Sequence, residues 1–240
     1  RKNYSQTRVL EHLRALAPDT NEPELLVGIT GEIGSKTLVM QDADSSSDRD
    51  TLALPAGSDV MRWTYGYFDS ASLATIFAYE PNASGFLVIP CRSGGFDGAI
   101  TSISTSKYGT IDQLFVVPHK SGRQDLLILF DGGTRAVLFE FKNGKLEELE
   151  DLSSGPLPKG ATDSFAGVIP WSQDGFLLLK ADGDMKTNGG VFFASDGDGY
   201  RAVKTIEIGE TSLQGPSNIL IFENEPFVDS APRLRQRLYQ

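Results

Sequence analysis

The sequence predicts an all-β chain of the β-propeller type, with about five blades and a short N-terminal helix. Three observations carry this. Apolar or alternating runs of about five residues recur at a pitch of roughly 10 residues. Turn-forming residues close each run, and the 240 residues include 25 Gly and 12 Pro. A hydrophobic run that meets a proline and then a polar, Gly-containing turn occurs three times. A β-sandwich is the alternative all-β architecture.

The first element reads as a helix. Val9, Leu10, Leu13 and Leu16 fall at helical spacing, Ser5 or Thr7 can cap them, and Pro18 and Asp19 end the run. His12 is then expected on the solvent side. Residues 1–22 form this helical segment, and residues 23–240 form a single all-β domain. The predicted strands include Leu25–Ile29, Thr37–Met40, Thr51–Leu54, Leu73–Tyr79, Phe86–Ile89 and Leu114–Val117. They continue with Leu126–Phe130, Ala136–Phe141, Phe176–Leu179, Gly190–Ala194, Ala202–Ile208 and Asn218–Phe222. Many of their residues are β-branched or aromatic, as strands prefer.

The internal repeat favours the propeller. Phe86-Leu-Val-Ile-Pro-Cys-Arg-Ser-Gly94 resembles Leu114-Phe-Val-Val-Pro-His-Lys-Ser-Gly122, and Gly167-Val-Ile-Pro-Trp-Ser-Gln-Asp-Gly175 is a looser copy. Pro90, Pro118 and Pro170 are unevenly spaced, which suits a unit of about 50 residues with one half-unit offset. A single four-stranded blade cannot bury both faces alone, so blades stack.

Composition excludes several functions. Lys and Arg number 22 against 32 Asp and Glu, a net charge of −10, which argues against nucleic acid as a main partner. The apolar runs are far below the roughly 20 residues of a membrane span. One cysteine, Cys91, excludes an internal disulfide and a Cys-rich zinc site. No Gly-x-Ser-x-Gly elbow is present, and His119 is the one general-base candidate of the β part. Cys91 and His119 hold matching repeat positions on separate units.

Residues 165–200 carry a family likeness. Phe165-Ala-Gly-Val-Ile-Pro leads to Gln173-Asp-Gly-Phe-Leu-Leu-Leu179, then Asp182-Gly-Asp184, Gly189-Gly-Val-Phe-Phe193 and Asp196-Gly-Asp-Gly-Tyr200. Together with Gly122-Arg-Gln-Asp-Leu-Leu-Ile-Leu-Phe130, this resembles the FG-GAP or VCBS type of propeller repeat over about residues 112–200. The resemblance implies calcium-binding loops of Asp-x-Asp-x-Asp-Gly form. This chain departs from that pattern at Pro118–Asp125, where His119, Lys120 and Arg123 stand. A second segment, Gly215-Pro-Ser-Asn-Ile219 with Asp229-Ser230, is similar to the metal-site blade of SMP-30/gluconolactonase propellers. That likeness implies a metal-dependent hydrolase or lactonase using Asn218 and Asp229.

Hard cations such as Ca2+ take six to eight oxygens, which alternate acids in a loop can supply. The candidates are Asp42, Asp44 and Asp48, then Asp182 and Asp184, then Asp196 and Asp198. A solvated Ser-rich loop is the plainer reading of the first group, and Asp-Gly hairpin turns of the others. For ligand contact the candidates are Trp63, Tyr65 and Trp171 and the turn residues Arg92, His119 and Arg123. Trp63, Tyr65 and Tyr67 share a strand face, and core packing is the competing role. Asn3 and Asn82 begin N-glycosylation triplets.

The leading expectation is a non-catalytic module, secreted or at a cell surface, that engages a protein or glycan through loops of one propeller face. A cytoplasmic location, and the metal-dependent hydrolase with a central-channel site, are the alternatives.

Overall fold

The computed structural model describes residues 10–21, 23–42, 47–68, 72–154, 164–170, 174–181, 186–212, 221–223 and 235–237. The described chain is all-β apart from one 3-10 turn at Leu152–Ser154. Four antiparallel sheets follow one another along the sequence, three of them meanders in chain order and the second branching at its third strand.

The first sheet contains β1 (Glu11–Leu16), β2 (Leu25–Thr30), β3 (Thr37–Asp42) and β4 (Asp48–Ala53). The second contains β5 (Arg62–Gly66), β6 (Thr75–Tyr79) and β7 (Gly85–Arg92), with β8 (Gly95–Phe96) and β9 (Thr101–Ser104) both pairing to β7. The third comprises β10 (Ile111–Pro118), β11 (Gln124–Phe130), β12 (Arg135–Lys142) and β13 (Lys145–Asp151). The fourth comprises β14 (Ser164–Pro170), β15 (Gly175–Ala181), β16 (Lys186–Asp196) and β17 (Gly199–Ser212). A two-stranded ribbon, β18 (Ile221–Glu223) and β19 (Arg235–Arg237), comes last. The first strands thus recur every 50 residues or so, the period of a four-stranded unit.

The N-terminal helix expected over Val9–Leu16 is corrected: Glu11–Leu16 is β1, paired antiparallel to β2. An isolated helix this short is marginal in water, whereas β2 offers a full ladder. Local spacing put Leu13 and Leu16 on one face, but Leu16 is buried and Leu13 is half exposed. A register shift lies between Glu11 and Arg14, and His12 adopts φ 51°. That bulge breaks the simple alternation. β1 comes close to β2 at Gly28, where an added Cβ would stand 2.9 Å from Leu10 Cβ. His12 is solvent-exposed, on a strand rather than a helix.

Each sheet packs on the next through its own hydrophobic layer. Leu16, Val27, Ile29, Leu38 and Met40 meet Trp63, Ile76, Ala78 and Ile89 between the first and second sheets. Phe77, Phe86 and Val88 meet Leu126, Ile128, Phe130, Val137 and Phe139 between the second and third. Leu127, Leu129 and Leu138 meet Phe176, Leu178, Val191 and Phe193 between the third and fourth. β11 therefore faces one layer with even-numbered residues and another with odd-numbered ones. A strand buried on both faces reads as an unbroken apolar run, and Leu126–Phe130 is such a run.

First strands of consecutive sheets are also tied together. Trp63 Nε1 of β5 donates to the His12 carbonyl of β1 at 2.9 Å. Gln113 Nε2 of β10 donates to the Ala166 carbonyl of β14 at 3.2 Å. Pro118 and Pro170 both close first strands, so their spacing is one sheet, while Pro90 lies in β7, the third strand. The uneven repeat is therefore a full-unit step plus a half-unit offset.

Candidate functional site

The turns that join first to second strands, and third to fourth, lie at one end of every sheet. Arg92, His119, Arg123, Asp42, Asp48, Asp196 and Asp198 all fall at or beside these turns. Bonds between sheets join the turns into a continuous surface. Thr20 N donates to the Ser72 carbonyl at 2.9 Å, and Ala74 N to the Pro18 carbonyl at 2.8 Å. Tyr67 N donates to Gln124 Oε1 at 2.6 Å. Lys120 N donates to Ser195 Oγ at 3.0 Å, and Arg123 Nη2 donates to the Asp198 carbonyl.

The densest polar cluster of this end joins the third and fourth sheets. Pro118 ends β10, and the following turn closes through His119 N to the Arg123 carbonyl (3.0 Å) and Gly122 N to the His119 carbonyl (2.9 Å). Gly122 supplies the φ of 84° that this turn needs. The His119 ring folds inward and is 3% exposed. Its Nδ1 accepts from Ser121 N at 3.2 Å and lies 2.7 Å from Ser121 Oγ. Acceptance at Nδ1 places the proton of the neutral ring on Nε2. Nε2 has no partner in hydrogen-bond geometry, although the Gly199 backbone is close enough to favour the charged ring. Burial, and then the Arg123 charge, hold His119 below its usual pKa.

Asp125 stands at the start of β11, fully buried. Arg123 Nε lies 3.1 Å from its Oδ1 and donates to Oδ2 at 3.3 Å; the Oδ1 contact is an ion pair off hydrogen-bond geometry. Tyr200, the second residue of β17, places its hydroxyl 3.1 Å from Asp125 Oδ2 and 2.8 Å from the Pro118 carbonyl. The Tyr200 ring meets His119 edge-on, centroids 5.4 Å apart, and packs on Phe176 at 5.1 Å. Burial raises the Asp125 carboxyl, with Arg123 opposing, and burial beside Asp125 pushes the Tyr200 phenol up as well. The cluster is turned inward. It fixes the relative position of two turns, and its imidazole is sealed from solvent.

Two of its members, His119 and Arg123, were visible in the sequence as turn residues. Asp125 and Tyr200 were not nominated, though both sit inside the repeat-like segments, at Gly122-Arg-Gln-Asp and Asp196-Gly-Asp-Gly-Tyr.

The other nominated residues take different places. Trp63, put forward for ligand contact, is 1% exposed and belongs to the core between the first two sheets, because its β5 position faces β2 and β3. Tyr65 and Tyr67 do follow it on one face, with ring centroids 6.1 and 6.0 Å apart along the row. Tyr67 donates its hydroxyl to the Ala17 carbonyl at 2.8 Å. Arg92 is more than half exposed, bonds the Phe96 carbonyl at 2.7 Å and pairs with Asp50 at 3.3 Å. Cys91 lies in the first core layer and His119 against Tyr200, in separate parts of the fold.

Asp42 pairs with Arg49 at 3.2 Å, and Asp48 accepts from Gln41 at 2.9 Å. Asp196 pairs with Arg201 at 3.3 Å across the tight β16–β17 hairpin. Among the described residues no three His, Cys, Asp or Glu side chains converge as ligands for one ion. Trp171, Asp44, Asp182, Asp184, Asn218 and Asp229 lie outside the described residues.

No protein-family model and no curated protein matches the chain. Among solved structures, a protein from Lactobacillus plantarum is similar at TM-score 0.51 and 12% identity, over 76% of this chain and 54% of that one. This chain thus spans about half the length of that protein, and at this identity the likeness concerns the fold alone. A protein of unknown function from Bacteroides caccae aligns at TM-score 0.47 and 12% identity, over 79% of this chain and 66% of the other. A prolyl oligopeptidase B from Galerina marginata, bound to a 35-residue hydrolysis and macrocyclization substrate, aligns at 0.49 and 8%, over 82% and 27%.

Proposed function

We propose that the sheets are blades of a β-propeller of about five blades, and that the chain is a non-catalytic module binding a protein or glycan partner through the turns at one end. One observation carries this reading: the cross-tied turn surface. Turns locked to one another before a ligand arrives lose little conformational freedom on binding. Their outward groups are polar and charged, with Arg92 and Lys120 exposed, which suits a polar partner. The imidazole, the buried carboxylate and the thiol face inward, which suits a scaffold rather than a reaction centre.

The test is a glycan array together with affinity capture on immobilised full-length chain, repeated with Arg92→Ala and Trp171→Ala. Arg92→Ala changes a turn of this end and Trp171→Ala the sequence between β14 and β15, whereas Lys107→Ala removes an exposed cation ahead of β10, at the opposite end, as a charge control. The reading expects a partner whose binding weakens about tenfold or more in at least one turn variant and not in the control. A partner held equally by all three variants would place the interface elsewhere.

A further inference from the structure

We propose that the opposite end of the first two sheets carries a site for a small oxyanion, a carboxylate- or phosphate-bearing molecule, formed by His12, Arg14 and Arg62. The site is independent of the turn surface above. Glu11 and Arg62 open β1 and β5, and Lys36 closes the β2–β3 connection, so these residues share the end away from the β1–β2 turn.

The arrangement is unusual for a chain of net charge −10. Arg14 is exposed and rests its guanidinium 5.8 Å over the Trp63 ring. Arg62 is paired across the ladder with Tyr79 and is close enough to bond that hydroxyl. Neither makes an ion pair with a carboxylate among the described residues. Lys36 does, at 3.5 Å from Glu11 Oε2. His12 sits among them: beyond burial, the fields of Arg62, Arg14 and Lys36 all disfavour its charged form, and only Glu11 opposes them. Cationic groups held this close repel one another, and an anion that accepts from two guanidinium forks relieves this.

The backbone supports the same place. His12 holds a left-handed φ of 51° inside a strand, a conformation uncommon for a residue with a Cβ. The accompanying bulge re-aims the side chains of Glu11 to Arg14. Trp63 Nε1 pins that bulge through the His12 carbonyl, so one indole holds both the His12 backbone and the Arg14 guanidinium.

The full-length chain is titrated with inorganic phosphate and, separately, with succinate, at constant ionic strength set by sodium chloride. The indole N–H resonance of Trp63 and the imidazole resonances of His12 report the binding. We expect saturable shifts at those groups with one equivalent of anion. An Arg14→Gln/Arg62→Gln variant should weaken them about tenfold or more, and Lys120→Gln, a distant cation, should leave them unchanged. Tighter binding of phosphate or of succinate identifies the anion class. No saturable shift with either anion overturns the site, and so does equal binding by the double variant. Should the double variant fail to fold, mapping on the unaltered chain still decides: shifts that avoid His12 and Trp63 overturn the assignment.

Discussion

The Tyr200 hydroxyl lies 3.1 Å from the Asp125 carboxylate, across 75 residues of sequence and across the boundary between the third and fourth sheets. Hydrophobic layers between twisted sheets permit sliding, since apolar contact is non-directional. A buried carboxylate tolerates far less, because its hydrogen-bonding needs are set by geometry. Asp125 takes Arg123 from its own sheet and Tyr200 from the next, and so fixes how the two sheets meet. The same hydroxyl reaches the Pro118 carbonyl, which ties the end of β10 into the contact.

Tyr200→Phe tests this directly. The ring and its contacts with Phe176 and His119 remain, while the Pro118 carbonyl and Asp125 Oδ2 each lose a partner. The expected cost is about 1–2 kcal/mol, the loss of one buried hydrogen-bonded group. Urea unfolding should show a lower midpoint with an unchanged slope, since the exposed area does not change. A midpoint equal to that of the parent would mean the hydroxyl holds nothing.

Arg123 and Asp125 should behave as a unit. Arg123→Met leaves a buried carboxylate without its counter-charge, at a cost of about 3–5 kcal/mol. Asp125→Leu leaves the three-quarters-buried guanidinium with Glu140 at 4.0 Å and the Asp198 carbonyl, and should cost less. The double substitution should cost clearly less than the two single costs together, giving a coupling energy of about 1–3 kcal/mol. Additive losses would show that the two groups act separately.

Cys91 is sealed in the core between the first two sheets, and burial pushes its thiol up to about 12. Thiolate is the reactive form. In the folded chain at pH 8, Ellman's reagent should therefore react only as fast as the protein opens, with full reaction in denaturant. Rapid stoichiometric labelling of the native chain would contradict this packing.

How much of this could be read from the sequence depended on burial. Leu126–Phe130 and Ala136–Phe141 were found because they lie between two apolar layers, where every position but Glu140 is hydrophobic. β13, Lys145–Asp151, was missed. It is the outer strand of its sheet, its side chains are mostly exposed, and Lys-Leu-Glu-Glu-Leu-Glu-Asp carries almost no apolar signal. The N-terminal segment was misread because four apolar residues in a short window fit a helix and a bulged strand almost equally, and only pairing with β2 decides. His119 and Arg123 were found as turn residues, but their partners were not. Nothing local in Asp196–Tyr200 states that this hairpin meets the turn after Pro118; that follows from how consecutive sheets stack.

His119 gives the pH dependence its sign. Its imidazole is buried and neutral in the folded chain, with Nδ1 already accepting from Ser121, and its pKa lies below the 6.5 of the free side chain. As pH falls below about 6.5, the unfolded chain gains a proton that the folded chain refuses. Stability therefore declines from there until the folded pKa is reached, and then the slope vanishes. His12 is lowered too and adds in the same direction. Asp125 acts oppositely. Its carboxyl is raised in the folded chain, so folding takes up a proton at higher pH than the free side chain does, and acid below that point regains some stability. The two effects oppose one another, and a chain without the imidazole separates them. Urea midpoints measured between pH 7.5 and about 5 should fall for the parent chain and fall less for His119→Leu, whatever that substitution does to absolute stability. Equal slopes in the two chains would show that the ring titrates alike folded and unfolded, and that the turn after Pro118 does not keep it from water.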